Sequence, residues 1–416
     1  KKIVLFDENG VKKETFSTKP FKGSKNYSIR ELAFSACSTK LAVAQSDSMV
    51  YIYNLGPKWG DRKTICNKLE QEDQISCMTW PTLKINELYV GLINGKVKVG
   101  FLKSNSTTSL YSTESLVVSI CHSIDGKYIL SGHLDGYIYK FNLENSNLQK
   151  LVIHPSVPYC LSWGNDILAA GSDSKVVFYN DVGTKLQAYD YSSDEKLKEF
   201  TLSRTNSLGD CIAVGNYNKF FIYMYNKRKQ TWEEACVKNV EGLYSVSAMT
   251  WKPDGSSLLT GNLTGSVDLF EAFITKKRFK DIFEIVYVTH SQMIIKNLES
   301  QKRLIFKPKL SQEISSMKIY KDNYIVILTR ESILLGDIDC EKISEIGWNS
   351  SGKEKFDFSN PNVCMIYSSG ELTLIEYGND DILGYCRTEY IHNDLISARL
   401  HYNTVQGLGK TSTIKI

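Results

Sequence analysis

Residues that do chemistry are scarce in this sequence and poorly arranged for it. Of 416 residues only six are histidine. His122, His133, His154, His290, His392 and His401 show no spacing such as His-Glu-x-x-His that would hold a metal. The ten cysteines include no Cys-x-x-Cys pair, which argues against zinc ligation and against a disulfide framework and fits a reducing compartment. Cys77, Cys160, Cys211 and Cys364 fall inside apolar strand patterns, where cysteine behaves as a small hydrophobe. No Gly-x-Ser-x-Gly elbow is present, so a hydrolase triad has no anchor. Gly409-Lys410-Thr411 ends like a phosphate loop, but Thr404 stands where that loop needs glycine. Charge of one sign is also lacking: 50 Lys and Arg face 46 Asp and Glu, a net +4, which gives no footing for a nucleic-acid binder. No apolar run reaches the ~18 residues of a membrane-spanning helix. The sequence therefore offers no catalytic, metal-binding or cofactor-binding residue, and an enzyme is not expected.

What is abundant is repetition. Six times between Ser28 and Ala272 an apolar strand is followed by a short turn, a small-residue strand ending in glycine, a polar turn and an alternating aromatic strand. The closing strands are "VYIYNL" (50–55), "VKVGFL" (97–102), "YIYKFNL" (137–143), "VVFYN" (176–180), "FFIYMYN" (220–226) and "VDLFEA" (267–272). Gly91, Gly132, Gly171, Gly215 and Gly261 recur at steps of about 40 to 45 residues, the period of a WD40 blade. A blade cannot bury both faces alone, so such units stack radially around a channel. Four units place a bulky aromatic at the end of the inner strand, namely Phe34, Trp80, Trp163 and Trp251; the third has His122 there. Three positions earlier lie Cys77, Ser119, Cys160 and Ala248, small enough to let neighbouring blades approach while the ring fills the wider gap outside. These aromatics and the five glycines are the expected structural core. The turns "SDS" (46–48), "NG" (94–95), "DG" (135–136), "SDS" (172–174) and "TG" (264–265) supply hairpin chemistry.

The match is to WD40 architecture rather than to its consensus. Tyr53-Asn54, Phe141-Asn142, Tyr179-Asn180 and Tyr225-Asn226 stand where the consensus has Trp-Asp, so its Asp-His-Ser-Trp hydrogen-bond network is expected to be largely missing. The fifth unit (198–226) has no aromatic in the inner column. "KKIVLFDENG" (1–10) reads as the last strand and turn of an earlier blade. Residues 1–272 are thus expected to form a first, seven-bladed propeller with its first blade truncated. Residues 273–282, with the cationic stretch "TKKRFK" (275–280), are expected to be a connector, and 283–416 a partial second propeller, for an all-β chain of tandem WD40-type propellers. Within the connector Lys276, Lys277, Arg278 and Lys280 are the candidate partner contact or hinge.

Several stretches lie outside the generic repeat. They are "FSTKP" (16–20), "WGDRKTICNK" (59–68), "HPSVPYCLSW" (154–163) and "TWEEA" (231–235), then "FEIVYVTHSQMIIKNLES" (283–300), "LLGDIDCEKISEIGW" (334–348), "NVCMIYSSGELTLIEYGNDDILGYCRTEY" (362–390) and "LISARL" (395–400). In this order they resemble the intraflagellar transport protein 172 family. The resemblance implies tandem propellers in a structural subunit of intraflagellar transport complex B, carried by kinesin and dynein along ciliary microtubules. It implies a place in the cilium and basal body with a cytoplasmic pool, partners among other complex B subunits, no cofactor and no nucleic acid. A vesicle-coat-like protein touching membrane or cargo is the alternative, since coats share the architecture of tandem propellers followed by a solenoid.

Overall fold

The computed structural model describes residues 1–416 except 8–9, 22–25, 195–196, 198, 240–244, 311, 361–362, 369, 377, 379, 381, 388–394, 402–403, 410–413 and 416. His392 and the Lys410-Thr411 pair lie outside the described residues. Among those described there is no helix, only antiparallel strands. The chain divides into two compact units, one of Lys1–Pro253 with Leu258–Phe270, the other of Asp254–Ser257 with Glu271–Ile416.

The first unit begins with a hairpin, Lys2–Phe6 against Lys12–Ser17, so the opening residues supply two strands rather than the single one expected. Five four-stranded sheets follow, spanning 29–70, 75–112, 117–153, 160–190 and 202–239, and then a three-stranded sheet of Val246–Trp251, Ser257–Asn262 and Val267–Glu271. Each sheet is a simple meander. The first strands of successive sheets run beside one another and so define an axis. This is the radial stack that the repeat requires.

The cores lie between sheets. Ala42, Ala44, Val50 and Ile52 of the first sheet pack with Ile75, Met78, Trp80 and Val90 of the second. On the other face of the same strands, Leu41, Val43, Tyr51 and Tyr53 pack with Ile3, Leu5 and Phe16 of the hairpin. Alternate residues of one strand thus enter different cores, which is why second strands such as Ile167–Ala170 are buried at every position. Three members of the glycine column, Gly91, Gly132 and Gly215, mark where a second strand meets the entry of the next sheet. A Cβ on Gly91 would lie 2.7 Å from Val117, on Gly132 2.8 Å from Pro158 and on Gly215 2.9 Å from Val246. The polar turns carry positive φ at Gly95, Gly136 and Gly265, but in both "SDS" turns the strained position is a serine, Ser48 at 63° and Ser174 at 54°.

The sixth sheet departs from the others because it has no fourth strand among the described residues. Val267 is 64% exposed, whereas the matching Val97, Ile138 and Val176 are sealed against the following sheet.

The second unit contains three four-stranded sheets, 275–306, 316–347 and 355–387, and a three-stranded one of Leu395–His401, Thr404–Gly409 and Ile414–Lys415. Its core repeats the logic of the first: Phe283, Ile285, Met293, Ile295, Leu304 and Phe306 pack with Ile325, Ile327 and Leu334 of the next sheet.

One sequence expectation fails here. Residues 273–282 are no connector: Thr275–Phe279 is a strand paired with Phe283–Tyr287, with Lys276 opposite Val286 and Arg278 opposite Glu284. A cationic strand mimics a linker in sequence. It folds as a strand because it pairs with Phe283–Tyr287 at the edge of its sheet, where among the described residues it has no second neighbour and its side chains are mostly exposed.

Candidate functional site: the axial cavity of the first propeller

The first strands of five sheets surround a cavity of about 290 Å³. Its lining includes Glu31, Leu32, Thr79, His122, Ile124, Ser162, Ser203, Arg204 and Thr205. Glu31 and Arg204, 173 positions apart, meet across it with Nη2 donating to Oε1 at 2.9 Å. The other Glu31 oxygen accepts the Met78 backbone N–H at 2.6 Å. One carboxylate therefore ties the first sheet to the second and the fifth. Burial pushes the Glu31 pKa up and the Arg204 guanidinium opposes that shift. Burial likewise raises the thiols of Cys77, to about 12, and of Cys121 and Cys160, leaving them protonated and poor nucleophiles.

The histidines serve the scaffold. His122 shares a 2.9 Å hydrogen bond between Nδ1 and Thr79 Oγ1, and burial followed by Arg204 holds its pKa down at about 4. His154 bonds the Tyr179 hydroxyl at 3.0 Å and burial lowers its pKa to about 4, against the pull of Asp173. His133 is fully buried between Ser131, 2.7 Å from Nε2, and Thr113 and the Ser115 carbonyl at Nδ1. Only parts of the consensus network remain: Tyr111 of the second sheet forms a chain with Ser131 and His133 of the third, and at the fourth His154 bonds Tyr179 while Ser156 separately bonds Asp173. Sequence spacing hides this because the partners differ in type from the consensus.

A pH dependence follows from the two rings held near 4. The unfolded chain takes up protons at the ordinary histidine pKa near 6.5, before the folded chain does, so stability falls as pH drops through 6.5 and the full loss is reached below about 4. Acidification from pH 7 to 5 should cost about 1–2 kcal/mol per ring. Calorimetry at the two pH values checks this, and His154→Gln should flatten the slope. An unchanged slope in that variant would mean that His154 is not buried neutral.

The residues expected from sequence are scattered rather than gathered at one site. Trp80 is buried and donates from Nε1 to the Ile85 carbonyl at 3.2 Å. Trp163 is half-buried, against Tyr128 at 5.7 Å and beneath Lys140, and Trp251 is half-buried and donates to the Arg204 carbonyl at 2.9 Å. Phe34, expected in the same core column, is 53% exposed. The preceding sheet seals Trp80, whereas among the described residues the sheet before Phe34 is the two-stranded hairpin, and that covers other residues of its sheet. Gly91, Gly132, Gly171, Gly215 and Gly261 stand at or next to the ends of second strands. Lys276, Lys277, Arg278 and Lys280 lie on and just after the strand at 275–279; Lys276 pairs with Glu284 at 3.0 Å and Lys280 with Asp322 at 2.7 Å. Sequence reading missed Glu31 and Arg204, whose proximity only ring geometry creates, and Trp232, the largest fully buried side chain. Among the described residues no group of three or more His, Cys, Asp or Glu could hold a metal.

Comparison with known proteins agrees with this architecture. A family model described as "WD domain, G-beta repeat" matches residues 104–142, which run from the end of the second sheet to the third strand of the third. A chain in a crystal structure of the mitotic checkpoint complex superposes with a TM-score of 0.54 at 15% identity, over 66% of this chain and 82% of that one, which supports the fold alone. Intraflagellar transport protein 172 of Chlamydomonas reinhardtii is 43% identical over 96% of this chain and 23% of its own length. The human homologue is 43% identical over 97% of this chain and 24% of its own. Intraflagellar transport protein osm-1 of Caenorhabditis elegans is 32% identical over 96% and 23%. The chain spans about a quarter of the length of these relatives, and over that span, as tandem WD40-type propellers, it belongs to the intraflagellar transport protein 172 family.

Proposed function

We propose that this chain is a non-enzymatic scaffold segment of the intraflagellar transport train, docking other complex B subunits through propeller surfaces and so supporting assembly and maintenance of cilia. The observation that carries the reading is similarity running through nearly the whole chain, second unit included, to relatives named for intraflagellar transport. The fold suits the role: a radial stack of sheets with apolar cores between them is a rigid frame that holds many loops in fixed positions. In this reading the train links the protein indirectly to kinesin and dynein on axonemal microtubules. It places the protein at the cilium or flagellum and the basal body, with a cytoplasmic pool.

The exposed strand at 275–279 is the candidate contact. Lys277, Arg278 and Phe279 face solvent there, and Lys280 follows at the turn. Reversing Lys276, Lys277 and Arg278 to Glu together should weaken capture of purified complex B subunits several-fold at physiological salt, with the melting temperature nearly unchanged. Undiminished capture would leave these cations the plainer role of guarding an open sheet edge against aggregation. The same cations favour the coat-like alternative, in which the strand meets an anionic membrane. Binding to phosphatidylserine vesicles without capture of complex B subunits would select it.

A further inference from the structure

We propose that the axial cavity of the first unit is a docking pocket for a carboxylate side chain presented by an acidic peptide segment of a partner protein. This rests on the scaffold reading and names the chemistry one of its surfaces would recognise.

The polar groups facing the cavity are unequally committed. Its acceptors are largely used. Glu31 accepts from Arg204 and from Met78 N–H, Asn206 Oδ1 accepts from Cys211 N–H, and the Ser162 and Ser203 hydroxyls bond one another at 2.7 Å. Its donors are not. A guanidinium has five N–H groups; Arg204 spends one on Glu31 and one on the Ser203 carbonyl at 3.1 Å, and the rest have no partner among the described residues. Arg204 remains 44% exposed, so it can be reached. Thr205 Oγ1 is buried without a hydrogen-bond partner. His122 shares its Nδ1 with Thr79 Oγ1; in the tautomer where Thr79 donates, the ring carries its proton on Nε2, which has no protein partner among the described residues and adds a further donor. A surplus of N–H and O–H donors around one guanidinium selects an acceptor, and a planar carboxylate matches the guanidinium fork best.

The rest of the lining sets the size and the neighbours. About 290 Å³ is at the small end of ligand pockets and admits one or two side chains, not a folded domain. Leu32 at 48% exposure and Ile124 at 41% line the same cavity, so apolar residues beside the acid would be covered as it enters. Glu31 has a second effect. It orients the guanidinium but repels an incoming carboxylate, so its charge should weaken binding while its hydrogen bonds keep the site in shape.

The probe is a fluorescein-labelled peptide of leucine, two glutamates and leucine, with a glutamine counterpart, titrated by anisotropy against the intact protein. The glutamate peptide should bind about ten-fold tighter than the glutamine one, Arg204→Gln should abolish that preference, and Glu31→Gln should tighten glutamate binding about three-fold. Equal binding of the two peptides, or a preference that survives Arg204→Gln, overturns the proposal. Should Arg204→Gln fail to fold, Thr205→Val, which keeps the side chain's size, should lower the preference, and an unchanged preference there also overturns it. Capture of complex B subunits is measured on the same preparation. Capture without glutamate preference refutes the pocket alone, and loss of capture with the preference intact refutes the scaffold reading alone.

Discussion

Trp232→Ala should destabilise the first unit by about 3–5 kcal/mol, the upper range for truncating a buried aromatic. The side chain is fully buried although it sits on a fourth strand, the position furthest from the axis. It lies between the fourth and fifth sheets, stacked on Phe178 with centroids 5.0 Å apart and planes 13° from parallel, and beside Tyr225 at 5.3 Å. Its indole N–H donates to Asp166 at 3.0 Å, and its own backbone is clasped by Gln187 and by the Tyr189 hydroxyl. Truncation would open a large cavity and leave the Asp166 carboxylate, whose pKa burial already raises, without its donor. Urea denaturation followed by circular dichroism checks the value, with Trp59→Ala as control. Trp59 is 56% exposed, so its removal should change stability by less than about 0.5 kcal/mol. Similar losses in both variants would show that the two sheets do not close on Trp232.

The repeat period and the strand–turn–strand pattern of the WD40-type fold were legible in the sequence because they depend on local spacing. A strand of alternating apolar residues, a two-residue turn and a glycine at a fixed offset say where a sheet lies whatever its neighbours are. Three features escaped because they depend on what is next door. Phe34 occupies the same column as Trp80, yet one ring is exposed and the other buried, since burial is conferred by the preceding sheet and not by the residue. The strand at 275–279 has four polar or charged residues in five, so its own composition argued for a linker; its pairing is dictated by Phe283–Tyr287, a strongly apolar partner. The Glu31–Arg204 contact joins the first sheet to the fifth, and no pattern along the chain carries information about what meets across an axis. The candidate site was therefore the least legible part, since a channel is made by the curvature of the whole ring.

The glycine column allows the sharpest test of how the sheets fit, because its members share a repeat position but not an environment. A Cβ on Gly171 would lie 2.1 Å from the Val157 carbonyl oxygen and 2.6 Å from Ser156 Oγ. The first of these is backbone at the entry to the same sheet and cannot swing aside. On Gly261 the nearest atom would be Ala248 Cβ at 3.6 Å, an ordinary contact. Neither glycine has a positive φ, so alanine is conformationally allowed at both and only space distinguishes them. Gly171→Ala should then cost about 2–3 kcal/mol through overpacking. Gly261→Ala should range from neutral to stabilising by about 1 kcal/mol, because it restricts the unfolded chain without a clash. Because the two positions are matched in the repeat, a purely local β-propensity effect would move both variants alike. Equal shifts in urea midpoint would therefore rule out close approach as the reason for glycine at 171. A loss confined to Gly171→Ala would locate the tight seam at the entry of the fourth sheet, where Ser156 also holds Asp173 at 2.9 Å.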